Sequence, residues 1–444
     1  WSTYNVVLVI SNYYEYPVST ITTVKFKVKQ HHECRPQDAG NLDFPAVSVC
    51  NLNQLAEFDG WNTGEKGILR QMSEIRTVLD FMSLQKRYES GHQLQEMLIG
   101  CIYQGEQCTS KQFQRFYNFH VGTCFTFNKK NNQAPVSKPG PLHGLSLVLD
   151  AQSEEYMNHS QTVGFKVVVH PQNDMPFPED EGILVSPGTV TDVAVTQEVV
   201  LRAPPPHGNC STYIGHENLL RNMYAEEFNV GYTAQACHRT CYQKLTIRKC
   251  NCCDSDYPCP AYMFGDVNLT FCEFHPDNES NPYELMEKLN KAGCMDEVRE
   301  AIKAGHVECE GLCKESCTET VFWEETSAGM WPSEAYVHTL IETHPNLSYK
   351  DIDTIRKNIV KVRVYFKQLN YQKVETVPAY NWYRLLSDIG GQLGLWVGFS
   401  VLTMVEILQL LLDLGRHLLL RTTLAGHQKL STSFRKRDGV TPPV

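Results

Sequence analysis

Five polar side chains, Ser400, Thr403, Glu406, Gln409 and Asp413, recur at three- and four-residue spacing inside an apolar run near the C-terminus. That spacing puts them roughly on one face of a helix. Carboxylates at membrane depth are expensive unless they face a bundle interior or water. Glu406 and Asp413 therefore point to a pore: repeated around an axis, they would form acidic rings that gather cations and exclude anions. The bland alternatives are a buried soluble helix, or an anchor whose polar stripe packs on a neighbour.

The run that must position them extends from Leu393 to Leu420, 28 residues, or about 42 Å as a helix, enough to span a hydrocarbon core with tilt. The chain opens on a second, shorter apolar stretch, Val6 to Ile10, followed by Tyr13, Tyr14 and Tyr16 before Pro17. Aromatic rings settle at a bilayer interface, so residues 1–17 are expected to be the outer part of a first transmembrane helix. Residues 18–386 then form an extracellular cysteine-rich domain, 387–424 the second transmembrane helix and pore, and 425–444 a cytoplasmic tail. Lys429, Arg435, Lys436 and Arg437 put that tail on the cytoplasmic side.

Composition agrees with an outer domain. The 444 residues carry 17 cysteines and a net charge of -10; a negative chain lacks the basic face that nucleic-acid binding needs. Five N-x-S/T acceptors, at Asn158, Asn209, Asn268, Asn278 and Asn346, add to the signs of an oxidising compartment. Asn209 is set aside as a glycan acceptor because a disulfide at Cys210 would compete. No nucleophile–base pair or metal-ligating constellation points to an enzyme, so no catalytic residue, metal or cofactor is expected.

Between the membrane segments, period-two alternation predicts strands at 23–29 and 361–367, and these two are expected to pair antiparallel. Further strands are expected at 44–50, 145–149 and 165–169. Helical periodicity covers Ile68 to Leu79 and then Leu94, Met97 and Leu98. Ser110 is a weak helix cap, lacking Glu or Gln three residues on. Two helices are expected at 281–289 and 295–304 and a third from Ser348 toward Val360. The block from Cys210 to Cys317 holds 12 of the cysteines.

Three motifs in order carry a resemblance: Phe44-Pro45-Ala46-Val47-Ser48-Val49-Cys50-Asn51; Tyr232-Thr233-Ala234-Gln235-Ala236-Cys237 with Cys241 and Cys250-Asn251-Cys252; and Asp388-Ile389-Gly390-Gly391-Gln392-Leu393-Gly394-Leu395-Trp396 leading to Gly398-Phe399-Ser400. The chain resembles, nearly end to end, the epithelial sodium channel/degenerin family, which also holds acid-sensing and FMRFamide-gated channels. The resemblance implies an α+β membrane protein: a trimer with two transmembrane helices per subunit and an ectodomain of palm β-sheet, β-ball, helical finger, thumb and knuckle. It implies disulfides Cys50–Cys124, Cys101–Cys108, Cys210–Cys317, Cys237–Cys313, Cys241–Cys309, Cys250–Cys294 and Cys252–Cys272. Cys34, Cys253 and Cys259 are left over, and the last two could close a short loop. A rival reading makes Cys250, Cys252 and Cys253 half of a zinc site completed by Cys309 and Cys313. The resemblance also makes Gly398, Phe399 and Ser400 the narrow part of the pore and Ser387 a gating position. Glycans are expected at Asn158, Asn268, Asn278 and Asn346.

Acid-sensing members carry paired carboxylates where this chain has Asn173 and Asp174, and a further one where it has Thr162, so the proton-sensing pocket reads as depleted. His207 stands where those members have a wrist tryptophan, and His31 and His32 beside Glu33 are a secondary titratable candidate. Weight therefore shifts to an extracellular peptide of the FMRFamide type. Its cleft would draw on Phe81, Tyr88, Phe113, Phe116, Tyr117 and Phe119 with Glu89 or Asp80, unless these rings are core. The expectation is a peptide-gated, Na⁺-permeable homo- or heterotrimer of the plasma membrane, both termini cytoplasmic, sensitive to amiloride-like blockers. The alternatives are a constitutively active or proton-gated sodium channel and, from another class, a non-conducting receptor or adhesion subunit.

Overall fold

The computed structural model describes residues 42–56, 84–129, 135–156, 160–205, 207–211, 222–259, 269, 271–272, 282–305, 309–344, 347, 351–376, 382–398 and 401–435. The chain divides into two compact units, Lys29–Val377 and a second that holds Pro378–Val444. The expected first transmembrane segment, the strand at 23–29, the helix at 68–79 and Cys34 lie outside the described residues, as do Phe399, Ser400, Asn158, Asn268, Asn278 and Asn346.

The larger unit begins with β1 (Ala46–Asn51), α1 (Leu84–Ser90), α2 (Leu94–Met97), β2 (Leu98–Tyr103), β3 (Glu106–Gln107), β4 (Phe113–Asn118) and β5 (Gly122–Phe127). It continues through β6 (Leu145–Asp150), β7 (Phe165–His170), α3 (Pro178–Glu181), β8 (Ile183–Val185), β9 (Thr189–Leu201), α4 (Met223–Phe228) and α5 (Ala234–Cys250). Then come α6 (Pro282–Lys303), α7 (Cys309–Leu312), β10 (Thr318–Met330), α8 (Glu334–Thr343), α9 (Ile352–Asn358), β11 (Ile359–Phe366) and β12 (Gln372–Glu375). Two sheets result. One has five strands in the order β4-β5-β1-β7-β8; the other has seven, β10-β9-β11-β6-β2-β3, with β12 beside β9.

β1 is buried along its whole length because it has β5 on one edge and β7 on the other. Its Val47 and Val49 join the main core with Phe44, Phe127, Leu147, Val193, Val362 and Phe366, contributed by both sheets. Phe44 sits at the centre of that core, edge-on to Tyr103 at 5.1 Å, Phe366 at 6.1 Å and Phe127 at 6.4 Å. Each such side chain stabilises the fold by about 1.5–3 kcal/mol on burial.

β11 has the expected alternation, with Val362, Val364 and Phe366 buried and Lys361, Arg363 and Tyr365 half-buried. Its expected partner at 23–29 lies outside the described residues. β11 runs antiparallel to β6 and parallel to β9, so over Lys361–Val364 both of its edges are taken.

Three helix expectations change as well. Leu98 opens β2 rather than continuing the helix of Leu94 and Met97. Thr109, not Ser110, caps a single 3₁₀ turn, Ser110–Gln112, with Gln112 closing a capping box; β4 follows at once. The two helices expected between 281 and 304 are one, α6, which runs 22 residues straight through Gly293. α9 is capped by Asp351, whose carboxylate accepts the Thr354 amide at 3.2 Å.

Among the described residues the disulfides are the seven pairs that the resemblance implied, joined by an eighth, Cys253–Cys259. Cys237 and Cys241, one turn apart on α5, reach Cys313, just past the end of α7, and Cys309, its first residue. The zinc reading is thereby corrected. Cys250, Cys252, Cys253, Cys309 and Cys313 are all oxidised, and a disulfide offers no thiolate to a metal.

Candidate functional site

In the smaller unit the described residues form two helices, α10 (Trp382–Val397) and α11 (Val401–Arg435). The single helix expected from Leu393 to Leu420 is therefore divided. The division falls at Gly398, which has φ +64°, a left-handed conformation that glycine adopts without steric penalty. α10 starts at Trp382, so the expected boundary at 386/387 lies inside it, and Ser387 is an exposed residue of its second turn. Likewise α11 runs through the expected boundary at 424/425.

Glu406, Gln409 and Asp413 lie on α11 and are exposed. At about 100° per residue, Glu406 and Asp413 fall within about 20° of one another around the helix, with Gln409 about 40° further. The rest of this stretch, from Leu402 through Leu412, exposes leucine, valine, isoleucine and methionine. Among the described residues no helix is long and apolar enough to cross a membrane. The cause is visible in α11: it is long, but Glu406, Asp413 and Arg416 interrupt its apolar runs.

The larger unit holds an acidic site that sequence reading missed. Two adjoining cavities, of about 360 Å³ and about 450 Å³, open between the turn after β7, the start of α5 and the first half of β10. Asp174, Glu315 and Glu319 line both; Asp43 adds to one, and Glu181 and Glu324 to the other. Neither lining contains lysine or arginine. Burial pushes Asp174 up to about 6, with Glu319 adding repulsion. Burial also pushes Glu181 up to about 7, helped by Asp180, Glu179 and Asp174. Glu324 rises to about 7 through burial, opposed by the amide it accepts from Val169.

Arg239 of α5 explains which carboxyls are left uncompensated. Its guanidinium pairs with Glu179 and, at 2.7 Å, with Asp180, and lies 4.1 Å over the Phe177 ring. Glu181 follows these two in sequence, yet among the described ion pairs none involves it. Asn173 does remove one carboxylate, but others arrive from the Glu179-Asp180-Glu181 run and from β10. The acidic run was readable in the sequence; the approach of β10 to the β7 turn was not.

A nucleophile–base contact also escaped the sequence, because its members are 122 residues apart. Ser48 Oγ lies 2.8 Å from His170 Nε2. His170 Nδ1 donates to the Pro171 carbonyl at 2.8 Å, so Nε2 carries the lone pair and accepts the Ser48 hydroxyl. Thr126 lies 2.8 Å from Ser48 on its other side. All three are buried, Ser48 completely, and burial lowers His170 to about 4. With all three side chains buried and the imidazole neutral, this is a core hydrogen-bond chain.

The aromatic cleft expected for a peptide is not where the rings are. Phe116 and Tyr117 are on β4, 1% and 0% exposed. Phe113 packs against the main core and Phe119 against the cluster around Phe116 and Phe177. Glu89 is exposed on α1, where it accepts the Gln85 amide at 2.7 Å. Burial of both faces at the end of β4, over Phe116–Asn118, rather than a helical finger face, accounts for Phe116 and Tyr117. Phe81 and Asp80 lie outside the described residues.

The family profile described as "Amiloride-sensitive sodium channel" matches residues 2–410. The chain belongs to that family. Among curated relatives of the amiloride-sensitive sodium channel family, the human epithelial sodium channel subunit beta is 30% identical over 377 residues, 83% of this chain and 56% of the relative. Epithelial sodium channel subunit beta-2 of Xenopus laevis is 29% identical over 377 residues, 83% and 55% of the two chains. The mouse subunit beta is 32% identical over 330 residues, 73% and 48%. The chain spans about half the length of the relatives it matches.

Proposed function

We propose that this chain is a subunit of a constitutively active, sodium-conducting channel of the plasma membrane, in which α10, residues 398–400 and α11 supply the pore. The observation that carries the reading is the glycine break at Gly398 set about two turns ahead of Glu406, where the Glu406–Asp413 stripe begins, in a sodium channel family member. A left-handed glycine lets backbone approach closely, and carbonyl or hydroxyl oxygens suit a small hard cation. Glu406 and Asp413, repeated around the axis, concentrate cations at the pore. Gly398, Phe399 and Ser400 are its narrow part, Na⁺ is the permeant ion, and Ser387 on α10 is a gating position. The assembly is a trimer with related subunits, consistent with relatives that are named as subunits. Its two membrane passes leave both termini in the cytoplasm.

Peptide gating loses its support, since Phe116 and Tyr117 are interior, Phe113 and Phe119 pack against the core clusters, and the relatives are epithelial sodium channel subunits. Proton modulation through the acidic cavity is the second reading, favoured by Glu181 and Glu324 titrating near neutrality. The test is expression of the full chain in oocytes, alone and with related subunits, while external Na⁺ is replaced by N-methyl-D-glucamine. An inward current present without agonist, lost on replacement and reduced by amiloride is expected. A chain that reaches the surface and adds no Na⁺-dependent current under either condition contradicts the proposal.

A further inference from the structure

Among the described residues Asn209 is the asparagine that stands in an N-x-S/T acceptor, Asn209-Cys210-Ser211. It is exposed, whereas Cys210 beside it is 5% exposed and joined to Cys317. The chain reaches it from β9 through a turn in which the amides of His207 and Gly208 both donate to the Pro204 carbonyl at 3.2 Å. A Cβ at Gly208 would collide with the Ala203 carbonyl oxygen, so the turn closes tightly just before Asn209. Beyond it, Ser211 donates its amide to the Glu315 carbonyl at 2.8 Å and accepts the Cys317 amide at 3.1 Å. Cys210 and Ser211 are thus fixed to the segment that leads into β10. Asn209 stays at the surface, where a bulky glycan is tolerated.

The objection to this acceptor is competition from the disulfide at Cys210, and the connectivity answers it. Cys210 pairs with Cys317, 107 residues later. Chains grow at about 5–20 residues per second, so Cys317 is made about 5–20 s after Cys210. Ahead of it, Cys50 pairs with Cys124 and Cys101 with Cys108, among themselves. Disulfide formation then takes seconds to hours. Through that interval Ser211 also lacks its two backbone partners, because Glu315 and Cys317 are not yet made. The acceptor is open before its competitor exists and is locked afterwards.

We propose that Asn209 is an N-glycosylation site, modified during synthesis before the Cys210–Cys317 disulfide closes. The Asn209 amide nitrogen attacks the anomeric carbon of a lipid-diphosphate-linked oligosaccharide. The N–C bond forms, the C–O bond to the diphosphate breaks, the lipid diphosphate leaves, and one amide proton is released; nothing is oxidised or reduced. The inference rests on the larger unit being made in a secretory compartment, which its disulfides favour.

The experiment is peptide mapping of the full chain, expressed in oocytes, recovered from the cell surface, reduced, alkylated and treated with PNGase F in heavy-oxygen water. The peptide that spans position 209 is expected to be deamidated there, with heavy oxygen incorporated, in the greater part of the chains. Asn209→Gln and Ser211→Ala are each expected to remove one glycan's mobility step from the untreated chain. Cys210→Ser, which keeps an acceptor and removes the competing thiol, is expected to leave occupancy unchanged. The mapping uses the unaltered chain, so it decides the matter whether or not the variants fold. An unmodified peptide at position 209 beside modified peptides from Asn158, Asn268, Asn278 or Asn346 overturns the proposal. Occupancy that appears in Cys210→Ser alone overturns it too, since the disulfide then wins the competition. Absence of modification at every acceptor overturns the secretory placement of the larger unit together with this inference.

Discussion

Glu324 Oε1 on β10 accepts the backbone amide of Val169 on β7 at 3.3 Å, so one carboxyl joins the edge of the seven-stranded sheet to the five-stranded sheet. The bond favours the ionised form, yet burial outweighs it and leaves the group at about 7. Glu181 across the same cavity is also at about 7. Both start from 4.5, so each contributes stability that is fully present below about 4.5 and lost as pH rises through about 7. His170 acts in the opposite sense, its contribution being present above 6.5 and lost as pH falls through about 4. Between pH 8 and 6.5 the carboxyls dominate. The thermal midpoint of the purified chain is therefore expected to rise on going from pH 8.0 to 6.5, and the Glu181→Gln, Glu324→Gln double variant to flatten the slope. A midpoint that falls over this interval, or an unchanged slope in the double variant, argues against the cavity as the titrating site.

Tyr117 is expected to behave as a core residue. It is fully buried on β4, with Tyr88 at 5.6 Å and Phe119 at 5.4 Å. Tyr117→Ala should cost about 3–5 kcal/mol in denaturant unfolding and lower surface expression. A well-expressed, fully stable variant with an altered response to an Arg-Phe-amide peptide would restore the peptide-cleft reading.

Arg299 on α6 holds Asp254, 2% exposed, through two hydrogen bonds of 2.8 and 2.7 Å, and reaches Asp256 at 3.2 Å. Both aspartates lie in the loop closed by Cys253–Cys259. Arg299→Ala strands a buried carboxylate and should cost about 3 kcal/mol. Arg299→Met combined with Asp254→Asn should cost less than the two single changes summed, measured by denaturant unfolding as a double-mutant cycle. Strict additivity would mean the pair is not coupled.

The parts of the fold readable from the sequence are those where local pattern and tertiary demand coincide. Val362, Val364 and Phe366 alternate because one face of β11 meets the core, and that alternation is in the sequence itself. Leu98 and Phe113 misled because short apolar runs do not distinguish a helix from a buried strand; neighbouring strands decide. The disulfides came from family resemblance, since spacing alone leaves many pairings open. At the pore segment the residue types were informative, but the break was not. Gly398 is one of several glycines near Trp396, and only its backbone conformation marks it. The acidic cavity was hidden for another reason: Asp174, Glu181 and Glu324 meet only when the turn after β7 packs against β10.

The central claim is that the Glu406–Asp413 face of α11 lines a cation path. Unitary Na⁺ conductance at about 10 mM external and internal Na⁺ tests it most directly, since charge in a pore matters most where screening is weak. Glu406→Gln and Asp413→Asn are each predicted to lower that conductance about two- to fivefold, with a smaller effect at about 150 mM. Conductances equal to those of the unaltered chain at both concentrations, in variants that reach the surface normally, would contradict it.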